Sequence, residues 1–285
     1  MTPPKETRRV LQVFGRTSGL KETRRYDPTI VTGVPTGGRG VRPEAVYFFG
    51  TCLVDLFFPE AGLSAIQLLQ REGVRVVFPR GQTCCGQPAY NSGYREEARA
   101  VATAQIRLFP GTLPIVVPSG SCAGMIRRHY RELFAGDPLE AEATDFASRV
   151  VELTQFLCDA LDARLVDRGE KVRVAWHGSC HALREAGVED EPLRLLARLE
   201  NVEVAPFSRE RECCGFGGTF AVRHPEISAA MVEDKAEAVA ASEADVVLSG
   251  DAGCLLNVGG RLEAKGARVR TEHVAAFLWE RTRER

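Results

Sequence analysis

The segments Thr83-Cys84-Cys85-Gly86 and Glu212-Cys213-Cys214-Gly215 place one Cys-Cys-Gly sequence in each half of a 285-residue chain. Both segments follow a short run rich in β-branched residues, at positions 74–78 and 202–204. Such runs are typical of buried strands. The same loop after the same kind of strand indicates an internal duplication.

The remaining cysteines extend the duplication. In both halves a single cysteine precedes the Cys-Cys pair by 32 or 33 positions, and another follows the second cysteine of the pair by 37 or 40 positions. The ninth cysteine, Cys158, aligns with Trp279 of the second copy, so we interpret it as a buried helical residue without a metal. The other eight are Cys52, Cys84, Cys85 and Cys122 in the first copy, and Cys180, Cys213, Cys214 and Cys254 in the second.

Short apolar runs alternate with amphipathic stretches from Ala45 onward, in the same order in both copies. The pattern predicts an α/β fold of two tandem, pseudo-symmetric βαβαβα modules with parallel sheets, covering residues 44–165 and 166–285. Three strands per module is a minimum. We expect strands near 46–49, 74–78 and 113–117, and again near 172–176, 202–204 and 245–248.

All eight repeated cysteines fall in loops at the carboxyl ends of predicted strands. In a parallel sheet these loops share one edge, so residues remote in sequence meet there. Four thiols therefore converge in each module, and we interpret them as ligands of a metal centre.

Adjacent cysteines favour an iron–sulfur cluster over a zinc ion. The side chains of Cys84 and Cys85 diverge on an extended backbone, and zinc sites usually space paired cysteines by two to four residues. A cluster offers several iron atoms, so neighbouring thiolates can bind different ones. We predict one or two clusters of the [4Fe-4S] type, with a zinc-stabilised scaffold as an alternative.

Composition excludes other classes of function. A net charge of −1 gives no electrostatic case for binding nucleic acid or an anionic membrane. No apolar run approaches the roughly 20 residues that span a bilayer, and the N-terminus lacks the apolar segment of a secretory signal. We expect a cytoplasmic protein, in which clustered cysteines bind metal more often than they form disulfides.

Residues 1–43 differ from the rest of the chain. They contain nine Lys or Arg against three acidic residues, and no helix or strand period is sustained. We interpret them as a basic, disordered N-terminal extension.

Two histidines, His177 and His181, lie beside Cys180. Three roles stay open for them: donation of a hydrogen bond toward a cluster sulfur, direct ligation, and capping of backbone groups at the strand end.

The repeated pattern Cys-x31-Cys-Cys-x36-Cys, slightly longer in the second copy, resembles the cysteine-rich CCG domain pair. Such pairs occur in the cysteine-rich subunit of heterodisulfide reductase, in the iron–sulfur subunits of glycolate and glycerol-3-phosphate oxidation, and in lactate-utilization A-type proteins. The resemblance covers residues 45–280 and implies that the eight repeated cysteines bind the cluster.

Two departures from the wider family affect what can be transferred. Ser119 and Asp251 stand where heterodisulfide reductase domains have a further cysteine, so each module offers four thiolates instead of five. An oxygen ligand, an open iron or the loss of one cluster would each accommodate this change. The cysteine run of ferredoxin domains is also missing, as in the lactate-utilization type, whose partner subunits carry those clusters.

The resemblance therefore implies an electron-transfer subunit of an L-lactate, or related 2-hydroxy acid, oxidation complex. Its partners would be subunits with ferredoxin-type clusters, which could also bring it to a membrane. The alternative within the family is a subunit that reduces disulfides, as heterodisulfide reductase does.

Overall fold

The computed structural model of the protein describes residues 42–284, which form two four-stranded sheets. All strand pairs in both sheets are parallel, which confirms the predicted α/β fold. The first sheet has the order β2-β1-β3-β4 and the second β6-β5-β7-β8. The strands are β1 (Ala45–Phe48), β2 (Arg75–Val77), β3 (Ile115–Val117), β4 (Val150–Glu152), β5 (Val172–Trp176), β6 (Val202–Val204), β7 (Val246–Ser249) and β8 (Arg270–His273).

Helices connect the strands, and none within residues 42–284 has the length and apolarity needed to cross a membrane. Three π-helical turns cover Met125–His129, Phe156–Ala160 and Ala182–Ala186. The α-helices are α1 (Cys52–Phe57), α2 (Pro59–Arg71), α3 (Gln87–Asn91), α4 (Arg95–Leu108), α5 (Gly120–Gly124), α6 (Tyr130–Leu133), α7 (Glu140–Arg149), α8 (Leu153–Gln155), α9 (Glu191–Leu196), α10 (Phe220–Arg223), α11 (Pro225–Ala240), α12 (Ala252–Ala264) and α13 (Val274–Thr282).

Helix α2 illustrates how the sequence sets these elements. It begins at Pro59, where a missing N–H costs nothing, and ends at the basic residue Arg71, which suits the negative end of the helix dipole. Ala65, Leu68 and Leu69 are all buried, and their spacing places them on one face of the helix.

The strand order places a crevice beside the first strand of each module. From β1 the chain continues to β2 on one side and then returns to β3 on the other. The loops beyond the carboxyl ends diverge at such a point, and ligands of parallel α/β sheets bind there. The cysteine-bearing loops follow β1, β2 and β3 in the first module and β5, β6 and β7 in the second.

One apolar core is shared by the two modules. Phe48 and Leu157 of the first module lie in the same buried cluster as Leu248 and Phe277 of the second. Helices α2 and α13 form the largest contact between the modules. The two halves therefore bury part of their apolar surface against each other, which is a main source of stability in folded proteins.

The structure adds a fourth strand to each module beyond the predicted minimum of three, β4 and β8. Each ends in a buried polar side chain that caps the following helix. Glu152 accepts a hydrogen bond from the backbone N–H of Thr154 at 2.6 Å, and His273 accepts one from that of Ala275 at 3.1 Å. The internal duplication thus extends to the last strand and helix of each module.

The predicted extension falls mostly outside the described residues, which begin at residue 42. Arg42 itself packs against the first module. Its guanidinium donates hydrogen bonds to the carbonyl oxygens of Glu72 and Leu161, both at 2.7 Å. The disorder of residues 1–41 stays a prediction.

Burial of Glu152 generates a prediction about stability and pH. Desolvation raises the pKa of this carboxyl from 4.5 to about 7. The folded state holds the proton more tightly than the unfolded state, so this group's contribution to stability falls as pH rises from about 5 to about 7. We expect Glu152→Gln, which resembles the protonated acid, to gain about 2 kcal/mol of unfolding free energy relative to wild type over that interval.

Urea unfolding at pH 5, 6 and 7 measures the difference. Glu280→Gln, which changes an exposed carboxyl of α13, is the matched control and should keep the wild-type pH dependence. Parallel curves for wild type and Glu152→Gln would contradict the prediction.

Candidate metal centres

Each module brings four cysteine side chains together at the carboxyl edge of its sheet. In the first, Cys85 and Cys122 lie with their Sγ atoms 3.4 Å apart, and Cys84 contacts both Cys52 and Cys85. We call Cys52, Cys84, Cys85 and Cys122 the first cysteine site.

The second module repeats the arrangement. The Sγ atoms of Cys214 and Cys254 are 3.0 Å apart, and Cys213 contacts both Cys180 and Cys214. We call Cys180, Cys213, Cys214 and Cys254 the second cysteine site. All eight repeated cysteines thus lie in two sets of four.

The Cys-Cys-Gly loops require their glycines. Gly86 and Gly215 have φ values of 87° and 85°, a left-handed conformation that glycine adopts without steric cost. A Cβ atom on Gly215 would also lie 2.8 Å from the carbonyl oxygen of Ser228. In this conformation the N–H of Gly86 points at the Sγ of Cys84 at 3.4 Å, and that of Gly215 at the Sγ of Cys213 at 3.4 Å.

Each site has a buried side and an accessible side. The second cysteine of each pair and the cysteine after the third strand are buried, namely Cys85, Cys122, Cys214 and Cys254. The other four, Cys52, Cys84, Cys180 and Cys213, are half-buried. A bound group would therefore be anchored from the protein interior and approached from the crevice.

One thiol in each site has a strongly lowered pKa. Hydrogen bonds from Cys52, Cys85 and the N–H of Gly86 lower the pKa of Cys84 to about 3. The pKa of Cys213 is lowered to about 2 by the equivalent donors, first of all Cys180. The thiolate is the form that binds metal, so each site begins with one strong ligand.

His177 lies against the second cysteine site. One of its ring nitrogens is within 4.8 Å of the sulfur atoms of Cys214 and Cys254, and its side chain is buried. Neither ring nitrogen has a hydrogen-bond partner among the described residues. The pKa of Cys254 is lowered to about 7, chiefly by the hydrogen bond from Cys214 and further by His177.

His181 lies on the accessible side of the same site. Its Nδ1 is 3.5 Å from the Sγ of Cys180, and its Nε2 is 3.9 Å from a carboxylate oxygen of Glu185. One ring nitrogen of His181 therefore lies beside the thiol of Cys180, and the other faces the carboxylate of Glu185.

Ser119 and Asp251 hydrogen-bond to each other, and each also lies near its own cysteine site: the Ser119 hydroxyl accepts from the N–H of Cys122, and the charge of Asp251 raises the pKa of Cys180. The carboxylate of Asp251 accepts hydrogen bonds from the hydroxyls of Ser119 at 2.8 Å and Ser121 at 2.7 Å. It also accepts one from the hydroxyl of Ser179 and one from the N–H of Ser121. Asp251 therefore ties the loop after β3 to the loops after β5 and β7, across the module boundary.

Sequence reasoning missed Ser121 and Ser179 as partners of Asp251, and it also missed the strained residue Thr51 beside Cys52. The two serines directly precede Cys122 and Cys180, and this repeated Ser-Cys pair was the available signal. Thr51 precedes Cys52, is buried with no partner for its hydroxyl among the described residues, and has a φ of 54°. A β-branched residue rarely adopts that conformation, and such strain is concentrated at functional sites.

Cys158 lies apart from both sites. It is buried in the shared core, within the π turn Phe156–Ala160, and its sulfur accepts a hydrogen bond from the guanidinium of Arg198 at 3.7 Å. Burial raises the pKa of its thiol, which disfavours the metal-binding thiolate.

The two sites open toward adjoining loops. The hydroxyls of Ser92, after α3, and Thr219, before α10, are 2.5 Å apart, and Arg223 donates to the carbonyl of Ser92 at 3.5 Å. Since α3 and α10 each follow a Cys-Cys-Gly loop, the accessible sides of both sites border one surface region.

The donor set fits an iron–sulfur cluster. Four thiols converge in each module, a backbone N–H points at a sulfur, and in the second site a buried imidazole lacks any other partner among the described residues. Four thiolates are the ligand set of [4Fe-4S] clusters, and hydrogen bonds to sulfur tune their potentials.

The sequence matches one protein-family model and is more than 40% identical to several named proteins. The CCG cysteine-rich domain model matches residues 46–127 and 174–259. Lactate utilization protein A of Geobacillus kaustophilus (strain HTA426) is 46% identical over 234 residues, which are 82% of this chain and 98% of that protein. Lactate utilization protein A 2 of Bacillus cereus (strain Q1) is 44% identical over 82% of this chain and 97% of that protein.

A crystal structure of a hypothetical protein from Helicobacter pylori shares the fold. It aligns with a TM-score of 0.60 at 10% identity, over 100% of this chain and 55% of that one. At this identity the likeness concerns the fold alone.

The hydrogen bonds of Asp251 generate a prediction that separates a structural role from ligation. Asp251→Ala leaves three hydroxyls without their acceptor at the module boundary, so we expect the free energy of unfolding to fall by about 3 kcal/mol. Ser119→Ala removes one of these donors together with the acceptor for the N–H of Cys122, and should cost about 1–2 kcal/mol. Thermal or urea unfolding measures both changes.

Metal analysis of Asp251→Asn, which preserves shape, completes this test. Because the side-chain donors that hydrogen-bond to Asp251 are serine hydroxyls, we expect the metal content to stay at the wild-type level. Metal loss in Asp251→Asn with unchanged unfolding would instead place the carboxylate on the metal.

Proposed function

The chain belongs to the CCG cysteine-rich domain family, as its cysteine spacing predicted, and on this premise we propose that it is an iron–sulfur electron-transfer subunit of an L-lactate oxidation complex. The observation that carries the redox proposal is the convergence of two equivalent sets of four thiols. The lactate assignment is supported by the names of relatives that align over nearly their whole length.

We assign one [4Fe-4S] cluster to each cysteine site. When bound, such a cluster accepts and releases single electrons. The Cys-Cys pairs would hold it by neighbouring thiolates, and the N–H groups of Gly86 and Gly215 would stabilise negative charge on sulfur. The buried cysteines exclude water from one side, which limits loss of the cluster and its exposure to oxygen.

We assign substrate oxidation to a partner subunit, and electrons would pass through this chain to subunits with ferredoxin-type clusters. This assignment is supported by the names of the relatives, which are lactate utilization proteins.

Anaerobic purification with iron, sulfide and zinc analysis tests the proposal. We expect a brown protein that contains iron and acid-labile sulfide, gives an electron paramagnetic resonance signal on reduction, and bleaches in air. A colourless protein with stoichiometric zinc and no sulfide after cluster loading would establish the zinc scaffold instead. Turnover of a disulfide by the isolated protein would establish the disulfide-reducing alternative.

Matched cysteine variants locate the metal. We expect Cys85→Ser and Cys214→Ser each to lower the iron content, because a serine oxygen is a poorer ligand for iron in these clusters than a thiolate. Cys158→Ser should keep the iron and lose only about 1–2 kcal/mol of stability, since it buries a hydroxyl in the core. Iron lost from Cys158→Ser and retained in the other two variants would overturn the assignment.

A further inference from the structure

The internal repeat allows the two cysteine sites to be compared position by position, and they differ at a buried aromatic position. Residues 49–52 read Phe-Gly-Thr-Cys and residues 177–180 read His-Gly-Ser-Cys, so His177 occupies the place of Phe49. Phe49 is fully buried and stacks on Phe109 with ring centroids 5.6 Å apart. Phe49 therefore completes an apolar core, whereas its counterpart brings two polar nitrogens to the same depth.

The surroundings of His177 leave these nitrogens without an ordinary partner. The side chain is 2% exposed, and neither nitrogen is hydrogen-bonded among residues 42–284. The backbone cannot move the ring away, because the N–H of His177 is bound to the carbonyl oxygen of Leu248 at 2.8 Å across the sheet. A buried polar group left unpaired costs about 1–3 kcal/mol, so its presence calls for a partner.

The second cysteine site supplies that partner. The sulfur atoms of Cys214 and Cys254 both lie within 4.8 Å of a ring nitrogen, and both cysteines are buried. In the first site the corresponding thiols are Cys85 and Cys122. They lie in the same buried apolar cluster as Phe49, and the ring of Phe49 has no hydrogen-bond donor.

We propose that His177 donates an N–H hydrogen bond to the buried sulfur pair of Cys214 and Cys254, and so gives the second cluster a higher reduction potential than the first. The inference rests on the proposed iron–sulfur function. A hydrogen bond to a thiolate withdraws negative charge from it, and the reduced cluster, which carries one more electron, benefits most.

Donation accounts for the environment of the ring better than ligation does. A histidine that binds metal nearly always donates its other N–H to a carboxylate, a carbonyl or water. His177 has no such acceptor among the described residues, so ligation would leave a buried N–H unpaired. A neutral imidazole that donates its single N–H leaves only an acceptor unpaired, and buried donors without a partner are the rarer case.

The difference gives electron flow a direction. The loops that follow the two Cys-Cys-Gly sequences are in contact through Ser92 and Thr219, so the sites border one region. An electron entering this region would move to the second cysteine site, which makes it the exit side of the chain.

A potentiometric titration of the anaerobically loaded full chain, followed by electron paramagnetic resonance, tests the proposal. Wild type should show two reduction steps. His177→Phe, which copies Phe49, should lower the potential of the higher step and bring the two together, with iron and sulfide content unchanged. His177→Gln, which keeps an N–H donor, should restore part of the shift.

The mirror variant, Phe49→His, provides an independent arm and should raise the potential of the lower step. Potentials unchanged in both His177→Phe and Phe49→His would overturn the proposal. Iron lost from both His177→Phe and His177→Gln would identify a ligand in place of a donor and would also overturn it. A wild-type protein without iron and sulfide would instead refute the proposed function on which the inference rests.

Discussion

Parallel pairing of β1 with both β2 and β3, repeated by β5 with β6 and β7, is the constraint on which the rest of the molecule depends. This pairing places three loops of each module at the carboxyl edge of its sheet. Four cysteines that are up to 74 positions apart along the chain therefore lie close together. The fold needs only short strands for this, because β2, β3 and β6 have three residues each. What must be maintained is the position of their carboxyl ends, and the buried side chains of β1 and β3 fix it.

Duplication explains why two such sheet edges occur in one chain. Contacts at the module boundary fix the position of one edge relative to the other. The core that contains Phe48 and Leu248 is shared, and Asp251 collects hydrogen bonds from serines of both halves. Gly124 has no side chain because a Cβ there would lie 2.8 Å from the Cβ of Glu185 in the other module. Symmetric copies that pack this closely can diverge at single buried positions without loss of the overall arrangement.

Much of this architecture could be predicted from the sequence, because cysteine spacing and strand order are local patterns that repeat. Strand β5 covers 172–176 as expected. The fourth strands were missed because their sequences, Val-Val-Glu in β4 and Arg-Thr-Glu-His in β8, contain no sustained apolar run. The placement of Ser119 and Asp251 was also out of reach, since an alignment of two copies says which positions are equivalent but not which face each other. The three roles left open for His177 could be narrowed only by its burial and by the absence of a partner among residues 42–284.

In the proposed function, the difference between the two cysteine sites has more consequence than their similarity. Two identical centres in contact with the same surroundings would share an electron equally, and the chain would impose no direction on transfer. Only the part of a hydrogen-bond energy that differs between the oxidised and reduced states shifts a reduction potential, and a difference of about 1.4 kcal/mol corresponds to a tenfold preference. In the proposed function, a histidine in place of a phenylalanine beside one pair of thiols would therefore bias the electron toward one module by that difference. The scaffold stays symmetric at the strands and the Cys-Cys-Gly loops, where packing requires it, and is asymmetric at the buried ring beside the second pair of thiols, where the proposed hydrogen bond would set the direction of electron transfer.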